Sequence, residues 1–219
     1  QDMSDEEFNS LFEYDDLTGF LSSFIKIQSY FTNINDFEYM FKDFEAYLNK
    51  NNIILIGMPG AGKSTIGVVL AKVLGYQFVD TDLIIQEEEG KLLWQIIEEK
   101  GVEEFINIED RINSKVDVSK CVIAPGGSAI FGENAMKHFQ EIGTVVYLDV
   151  DYPVLKKRVG NFERRGVILR HGNSFRDIYE ERLPYYHKYA HVKISENNRN
   201  ISQTVSAIVD ALDLAPESR

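Results

Sequence analysis

Residues 57–65 read GMPGAGKST and lie between the apolar run Asn52–Ile56 and a second apolar-rich run, Ile66–Leu74. Gly-x4-Gly-Lys-Ser with a strand before it and a helix after it is the pattern of a phosphate-binding loop, or P-loop. Its glycines let successive backbone N–H groups turn inward around phosphates at the positive end of the following helix. Gly57, Pro59, Gly60, Ala61, Gly62 and Thr65 therefore read as a nucleotide cradle. Lys63 reaches toward the β- and γ-phosphates, and the Ser64 hydroxyl is placed to ligate Mg²⁺. The loop demands a strand that feeds directly into a helix, which already narrows the fold. It does not name the reaction.

From Asn52 onward strands and helices alternate. NIILIG reads as a strand and Gly62–Leu74 as a helix; YQFVDTD is a short strand, followed by helices through KLLWQIIEEK and VEEFINIEDRINSKV. CVIAPGG is a strand, GENAMKHFQEI a helix, TVVYLDV a strand and Tyr152–Val159 a helix. Residues 161–172 are polar and basic, the composition of a mobile loop. Asn173–Ala190 reads as a helix, HVKIS as a strand and Ile201–Leu212 as a closing helix. Near-continuous apolar strands separated by helices predict an α/β fold, a parallel sheet with helices on both faces. Trp94, within LLWQII, reads as helix core.

Residues 1–50 differ in character. They hold 12 of the 26 aromatic residues, and eleven acidic side chains against three lysines give this region −8 of the net −12. In DFEYMFKDFEAYL the positions Phe37, Met40, Phe41, Phe44 and Leu48 follow the i, i+3, i+4, i+7 rule of one helical face. The expectation is a small helical extension that packs on the main domain or on a second copy of the chain, with residues 51–219 forming the main domain. Such acidity repels nucleic acid and anionic lipid, so neither is expected as a partner. No run approaches the ~20 apolar residues of a membrane helix. Cys121 is the only cysteine and fits a reducing, cytoplasmic setting.

Three further clusters bear on chemistry. Asp80-Thr81-Asp82 stands at the predicted end of the second strand, where sheets of this type bind ligands. The two carboxylates can divide between Mg²⁺ and an acceptor hydroxyl, although the same triplet also fits a solvated strand-end turn. Pro125-Gly126-Gly127-Ser128 follows the strand CVIA and permits close approach to a small ligand, or simply a tight turn. Arg158, Arg165 and Arg182 belong to an arginine-rich region within an otherwise acidic chain. Arginines carried on a flexible segment can stabilise the charge of a transferring phosphoryl group.

Taken in this order, the four elements resemble the shikimate kinase family over about Asn51 to Ser195. The resemblance implies a P-loop NTPase-type five-stranded parallel sheet, ATP as co-substrate, Mg²⁺, and a lid at about 161–172. It further implies that Asp80 faces Mg²⁺ with Ser64, that Asp82 orients or deprotonates the acceptor hydroxyl, and that Gly126 and Gly127 line the acceptor pocket beside Ser128. Arg158 would lie against adenine, Arg165 would close on the phosphates, and Arg182 would hold the acceptor's carboxylate. Lys63, Asp82 and Arg165 would then be the catalytic set.

The chain also departs from the family pattern. Where Gly-Glu-x-x-Phe-Arg-x-x-Glu is usual, it reads Gly101-Val102-Glu103-Glu104-Phe105-Ile106-Asn107-Ile108-Glu109, so Ile106 replaces an arginine of the carboxylate clamp. Glu109 is left to accept hydrogen bonds from acceptor hydroxyls or an amine. The triple glycine is Gly126-Gly127-Ser128, and the lid's Arg-Pro-Leu-Leu is Arg165-Gly166-Val167-Ile168. A charge-assisted hydrogen bond contributes about 1.5–3 kcal/mol, which is roughly 10–150-fold in affinity. The expectation is therefore a kinase for a small polyhydroxylated metabolite other than shikimate. The alternatives are a genuine shikimate kinase with a rearranged clamp and a kinase-like ligand-sensing module.

Overall fold

The strand β1 (Asn52–Ile56) is buried along its whole length, as NIILI predicts. Full burial of each such aliphatic side chain contributes about 1.5–3 kcal/mol. Its one polar residue, Asn52, is 1% exposed and fully engaged. The amide donates to the carbonyls of Val118 and Ile142 and accepts from Cys121 N–H, which ties the head of β1 to both neighbouring strands. The computed structural model describes residues 51–159 and 174–214, all within the unit Leu48–Arg219. The N-terminal extension and the lid segment with Arg165 lie outside the described residues.

Five parallel strands form the sheet in the order β2-β3-β1-β4-β5, with β2 (Gln77–Asp80), β3 (Cys121–Ala124), β4 (Gly143–Asp149) and β5 (Val192–Ser195). β1 pairs with β3 on one side and with β4 on the other. The P-loop therefore leaves the carboxyl end of the central strand, flanked by two strand ends on each side. That placement is what gathers the site.

The helix α1 (Lys63–Leu74) follows and buries Ile66, Leu70, Ala71 and Leu74 against the sheet, an i, i+4, i+5, i+8 face. Gly67 belongs to the same face because a Cβ there would meet the Phe78 ring at 2.5 Å. Next come α2 (Thr81–Glu89), α3 (Leu93–Lys100) and α4 (Val102–Asn113). These three share a second, smaller apolar cluster of Ile85, Ile96, Phe105, Ile108 and Ile112. The remaining described α-helices are α5 (Glu133–Ile142), α6 (Tyr152–Val159), α7 (Phe175–Tyr189) and α8 (Ile201–Ala211).

Two expectations need correction. The second strand stops at Asp80, and Thr81 opens a helix that the hydrophobic pattern did not show. Leu83, Ile84 and Ile85 are consecutive apolar residues and blur the helical period. Trp94 is 54% exposed rather than core, since α3 fully buries only Ile96. Cys121 is buried as expected. No described helix is long and apolar enough to cross a membrane.

Candidate active site

The P-loop is held open by backbone conformations that favour glycine. Gly60 has φ 84°, and a Cβ there would lie 2.5 Å from Val159 Cγ2. Gly62 has φ 96° and occupies the N-cap of α1, so the unpaired N–H groups of the first turn face the loop interior. Lys63 Nζ spans the loop and donates to the carbonyls of Gly57 at 2.9 Å and Met58 at 3.4 Å. Burial brings its pKa down to about 8, with Arg182 pushing the same way and the carboxylates of Asp82, Asp80 and Glu109 opposing.

Ser64 Oγ donates to Asp80 Oδ2 at 3.2 Å, which brings the hydroxyl of α1 and the last residue of β2 together. Asp80 also caps α2, its Oδ1 accepting from Asp82 N–H at 3.1 Å. Asp82 is thus the second residue of a helix, not part of a strand. Burial raises its pKa to about 6, the Asp80 charge adds to the rise, and Lys63 counters it.

These groups and the Gly126–Gly127 loop line one cavity of about 320 Å³, within the range of small-molecule sites. Pro59, Gly60, Gly62, Ser64 and Thr65 line it from the P-loop and the start of α1. Asp82, Gly126, Gly127, Ser128 and Arg182 line it as well, together with Leu93 and Phe105. The absence of side chains at 126 and 127 has a steric cause. A Cβ on Gly126 would run into Glu109 Oε1 and lie 2.9 Å from Asp82 Oδ1, and a Cβ on Gly127 would lie 2.9 Å from Arg182 Nη1. The carbonyl of Gly127 is pinned by the Tyr186 hydroxyl at 3.0 Å, and the Tyr186 ring stacks on Tyr147 with centroids 5.1 Å apart.

Arg182 comes from the middle of α7, is 3% exposed, and lies over the Phe131 ring at 5.6 Å. Glu109, on the buried face of α4, is 1% exposed. Ser128 Oγ donates to its Oε2 at 2.6 Å. Glu109 Oε1 and Arg182 Nε have no hydrogen-bond partner among the described residues. Burial lifts the Glu109 carboxyl to about 7; the Ser128 bond, Arg182 and Lys63 oppose, and the Asp82 charge reinforces.

The other described arginines are engaged elsewhere. Arg158 pairs with buried Glu196 at 3.0 Å, beside the P-loop through the neighbouring Val159. Arg111 pairs with Glu88 and Glu89, and Arg176 with Glu180, all on exposed positions of their own helices except the partly buried Glu89. Neither enters the cavity, and Ile106 is half-buried outside its lining. Of the described arginines, Arg182 alone lines the cavity. Leu93 and Val159, which also line the cavity, and Glu196 carry no motif signal in the sequence. No cluster of three or more His, Cys, Asp or Glu suited to a metal occurs among the described residues. An ion here would rest on Ser64 and Asp80, as suits Mg²⁺, which keeps water and phosphate oxygens as its other ligands.

A P-loop that opens onto a small-molecule-sized cavity lined also by paired aspartates, a glycine loop and a buried arginine has the form of a small-molecule phosphotransferase of the P-loop class. The comparisons make this specific. The family model "Shikimate kinase" matches residues 59–213. The shikimate kinase of Persephonella marina is 33% identical over 159 residues, 72% of this chain and 96% of that protein. Among solved structures, shikimate kinase from Acinetobacter baumannii in complex with shikimate aligns with a TM-score of 0.67 at 27% identity, over 77% of this chain and 97% of that one. The Aquifex aeolicus enzyme aligns with a TM-score of 0.63 at 30% identity, over 74% and 96%. The chain belongs to the shikimate kinase family, and is an ATP-dependent kinase that phosphorylates a hydroxyl of a small molecule.

Proposed function

We propose that this enzyme transfers the γ-phosphoryl group of ATP to a hydroxyl of shikimate. The expectation of a different acceptor has less support than this alternative, since relatives named shikimate kinase span nearly three quarters of the chain. The observation that carries the reading is buried Arg182, beside Gly127 in the same cavity as Asp82 and the P-loop. It is a fixed cation for the acceptor's carboxylate.

In this reading the N–H groups of the P-loop and the α1 N-terminus hold the β- and γ-phosphates, and Lys63 swings from the Gly57 and Met58 carbonyls onto them. Ser64 and Asp80 would hold Mg²⁺, which would supply charge neutralisation at the phosphates. Asp82 accepts the hydrogen of the attacking hydroxyl and aligns its lone pair with the γ-phosphorus; its raised pKa lets it take up the proton as the bond forms. Arg158, steadied by Glu196, lies against the adenine. Arg165, outside the described residues, closes on the phosphates from the lid. Residues 1–50 serve packing or self-association and take no part in the chemistry.

A second reading, an acceptor other than shikimate, has one specific observation in its favour. Ile106 stands where the family pattern has arginine, and no other described arginine takes its place in the cavity. Steady-state kinetics with shikimate, ATP and Mg²⁺ decide between them. A kcat/KM of roughly 10⁴ M⁻¹s⁻¹ or more establishes shikimate as the substrate. A value orders of magnitude lower, improved by Ile106→Arg, establishes the second reading.

A further inference from the structure

Arg182 and Tyr186 lie four residues apart on α7, so both side chains leave the same face of the helix. Tyr186 donates its hydroxyl hydrogen to the Gly127 carbonyl at 3.0 Å, and Gly127 packs against the Arg182 guanidinium, where a Cβ would lie 2.9 Å from Nη1. Burial pushes the Tyr186 phenol up to about 12; the guanidinium opposes that rise, by its charge and by a hydrogen bond to the hydroxyl. The Tyr186 ring is itself fixed. It stacks on Tyr147 at an interplanar angle of 8°, and the Tyr147 hydroxyl donates to Asp149 Oδ1 at 3.1 Å. The same guanidinium lies over the Phe131 ring, its Cζ 5.6 Å from the centroid, and Tyr185 meets that ring edge-to-face at 5.2 Å. Neither Phe131 nor Tyr186 lines the cavity, so they reach it only through Arg182 and Gly127.

A guanidinium presents its donors in one plane, so what an anion meets depends on how that plane is turned. A ring face beneath the plane and a hydrogen bond at its edge are two contacts that fix it. With no second described arginine in the lining, that orientation is set at Arg182 alone. We propose that Phe131 and Tyr186 are positioning residues for the acceptor's anionic group: together they fix the plane of the Arg182 guanidinium, and that plane sets the angle at which a carboxylate is held. A planar carboxylate then docks by two parallel hydrogen bonds in one orientation, which turns one hydroxyl of the acceptor toward Asp82. Without this aromatic seat the arginine still attracts the anion by charge, but the acceptor pivots about it. This inference deepens the proposed function and rests on its assigning the acceptor's carboxylate to Arg182.

The test is a set of coupled substitutions. Kinetics with shikimate and ATP are measured for wild type, Phe131→Leu, Tyr186→Phe, Arg182→Lys, and each of the first two changes combined with Arg182→Lys. Phe131→Leu and Tyr186→Phe should each lose about 3–30-fold in kcat/KM for shikimate, the value of one hydrogen bond or ring–cation contact, with KM for ATP unchanged. A lysine ammonium is a point charge with no plane to set, so in the Arg182→Lys protein neither change should cost a further factor. Losses that multiply with that of Arg182→Lys, or that fall on KM for ATP as well, would make the two residues packing for α7 and overturn the inference alone. Unchanged kinetics would overturn it too. If Arg182→Lys turns over too slowly to measure, the same comparison is read from shikimate affinity by calorimetry. If Phe131→Leu does not fold, Phe131→Met, which keeps most of the volume and no ring, takes its place under the same rule. Quinate, a second hydroxylated carboxylate, is used if wild type does not turn over shikimate. The expected pattern with quinate would overturn the choice of acceptor and leave the inference standing, and turnover of neither by wild type would overturn both.

Discussion

Replacing Glu109 by glutamine removes one ionisable group while keeping the side chain's size and an oxygen for Ser128. In the folded protein burial holds this carboxyl near pKa 7, against an ordinary value of 4.5. The folded state therefore binds the proton more tightly than the unfolded chain. The stability gained from this is fully present below about pH 4.5 and is lost as pH rises to 7. At about 1.4 kcal/mol per pKa unit the change is about 3 kcal/mol. With a urea dependence of about 1–3 kcal/mol per molar, the unfolding midpoint should fall by about 1–3 M across that window on account of this group. Asp82, raised to about 6, contributes a fall of the same sign, so the informative quantity is the difference between proteins. Urea unfolding of nucleotide-free wild type and Glu109→Gln at intervals from pH 4.5 to 8 should give curves that lie close at low pH, where both side chains are neutral, and diverge as pH rises, wild type losing more. Parallel curves would mean that Glu109 titrates like a solvated carboxylate, and the account of a dry acceptor pocket would fail.

Lys63→Ala should abolish ATP turnover and leave the melting temperature close to wild type, because the amine bonds only P-loop carbonyls; persistent turnover would remove the lysine from the mechanism. Asp82→Asn should lower kcat by at least 10²-fold, as loss of a positioned base does, with little change in KM for ATP; an unaltered kcat would make Asp82 a helix-end residue only. Glu196→Gln should raise KM for ATP severalfold at unchanged kcat, since Arg158 loses its charged partner; an unchanged KM would detach Arg158 from the base. A chain beginning at Asn51 should retain ATP-dependent turnover per folded molecule, measured beside its oligomeric state by light scattering, and loss of ATP binding in a folded truncation would contradict the division of roles.

What could be read from the sequence was what is local. The P-loop is nine consecutive residues whose backbone needs fix their identities, and it stands as read, from Gly60 at φ 84° to Lys63. The five parallel strands were also legible, since buried strands are short unbroken apolar runs. The helix after Asp80 was missed although its signals are ordinary, an aspartate cap before it and Gly90 in a left-handed turn after it. The Ser128–Glu109 and Arg158–Glu196 contacts join residues 19 and 38 apart. Each depends on where helices come to rest on the sheet, and no spacing rule encodes that. Trp94 misled because an apolar run in a short surface helix does not reveal which of its members the core can take.

The position of β1 in the sheet has a consequence for how such an enzyme diversifies. To one side stand β3 and β2, which end ahead of the Gly126 loop and at Asp80, the cap of α2; to the other stand β4 and β5, whose ends meet Gly57 and lead into Glu196. In the proposed function the first wing brings Asp82 and the glycine loop to the acceptor, while the second brings Arg158 to the nucleotide and, from α7, Arg182 to the acceptor's carboxylate. The chain's departures at Ile106 and Ser128 both fall on helices and loops of the first wing. A lineage can therefore retune which hydroxyls are met by editing one flank of the sheet while the P-loop and the Arg182 clamp are inherited intact. Chimeras that exchange the β2–β3 flank alone should accordingly alter which hydroxyls are recognised and keep the Arg182 requirement for an anionic group.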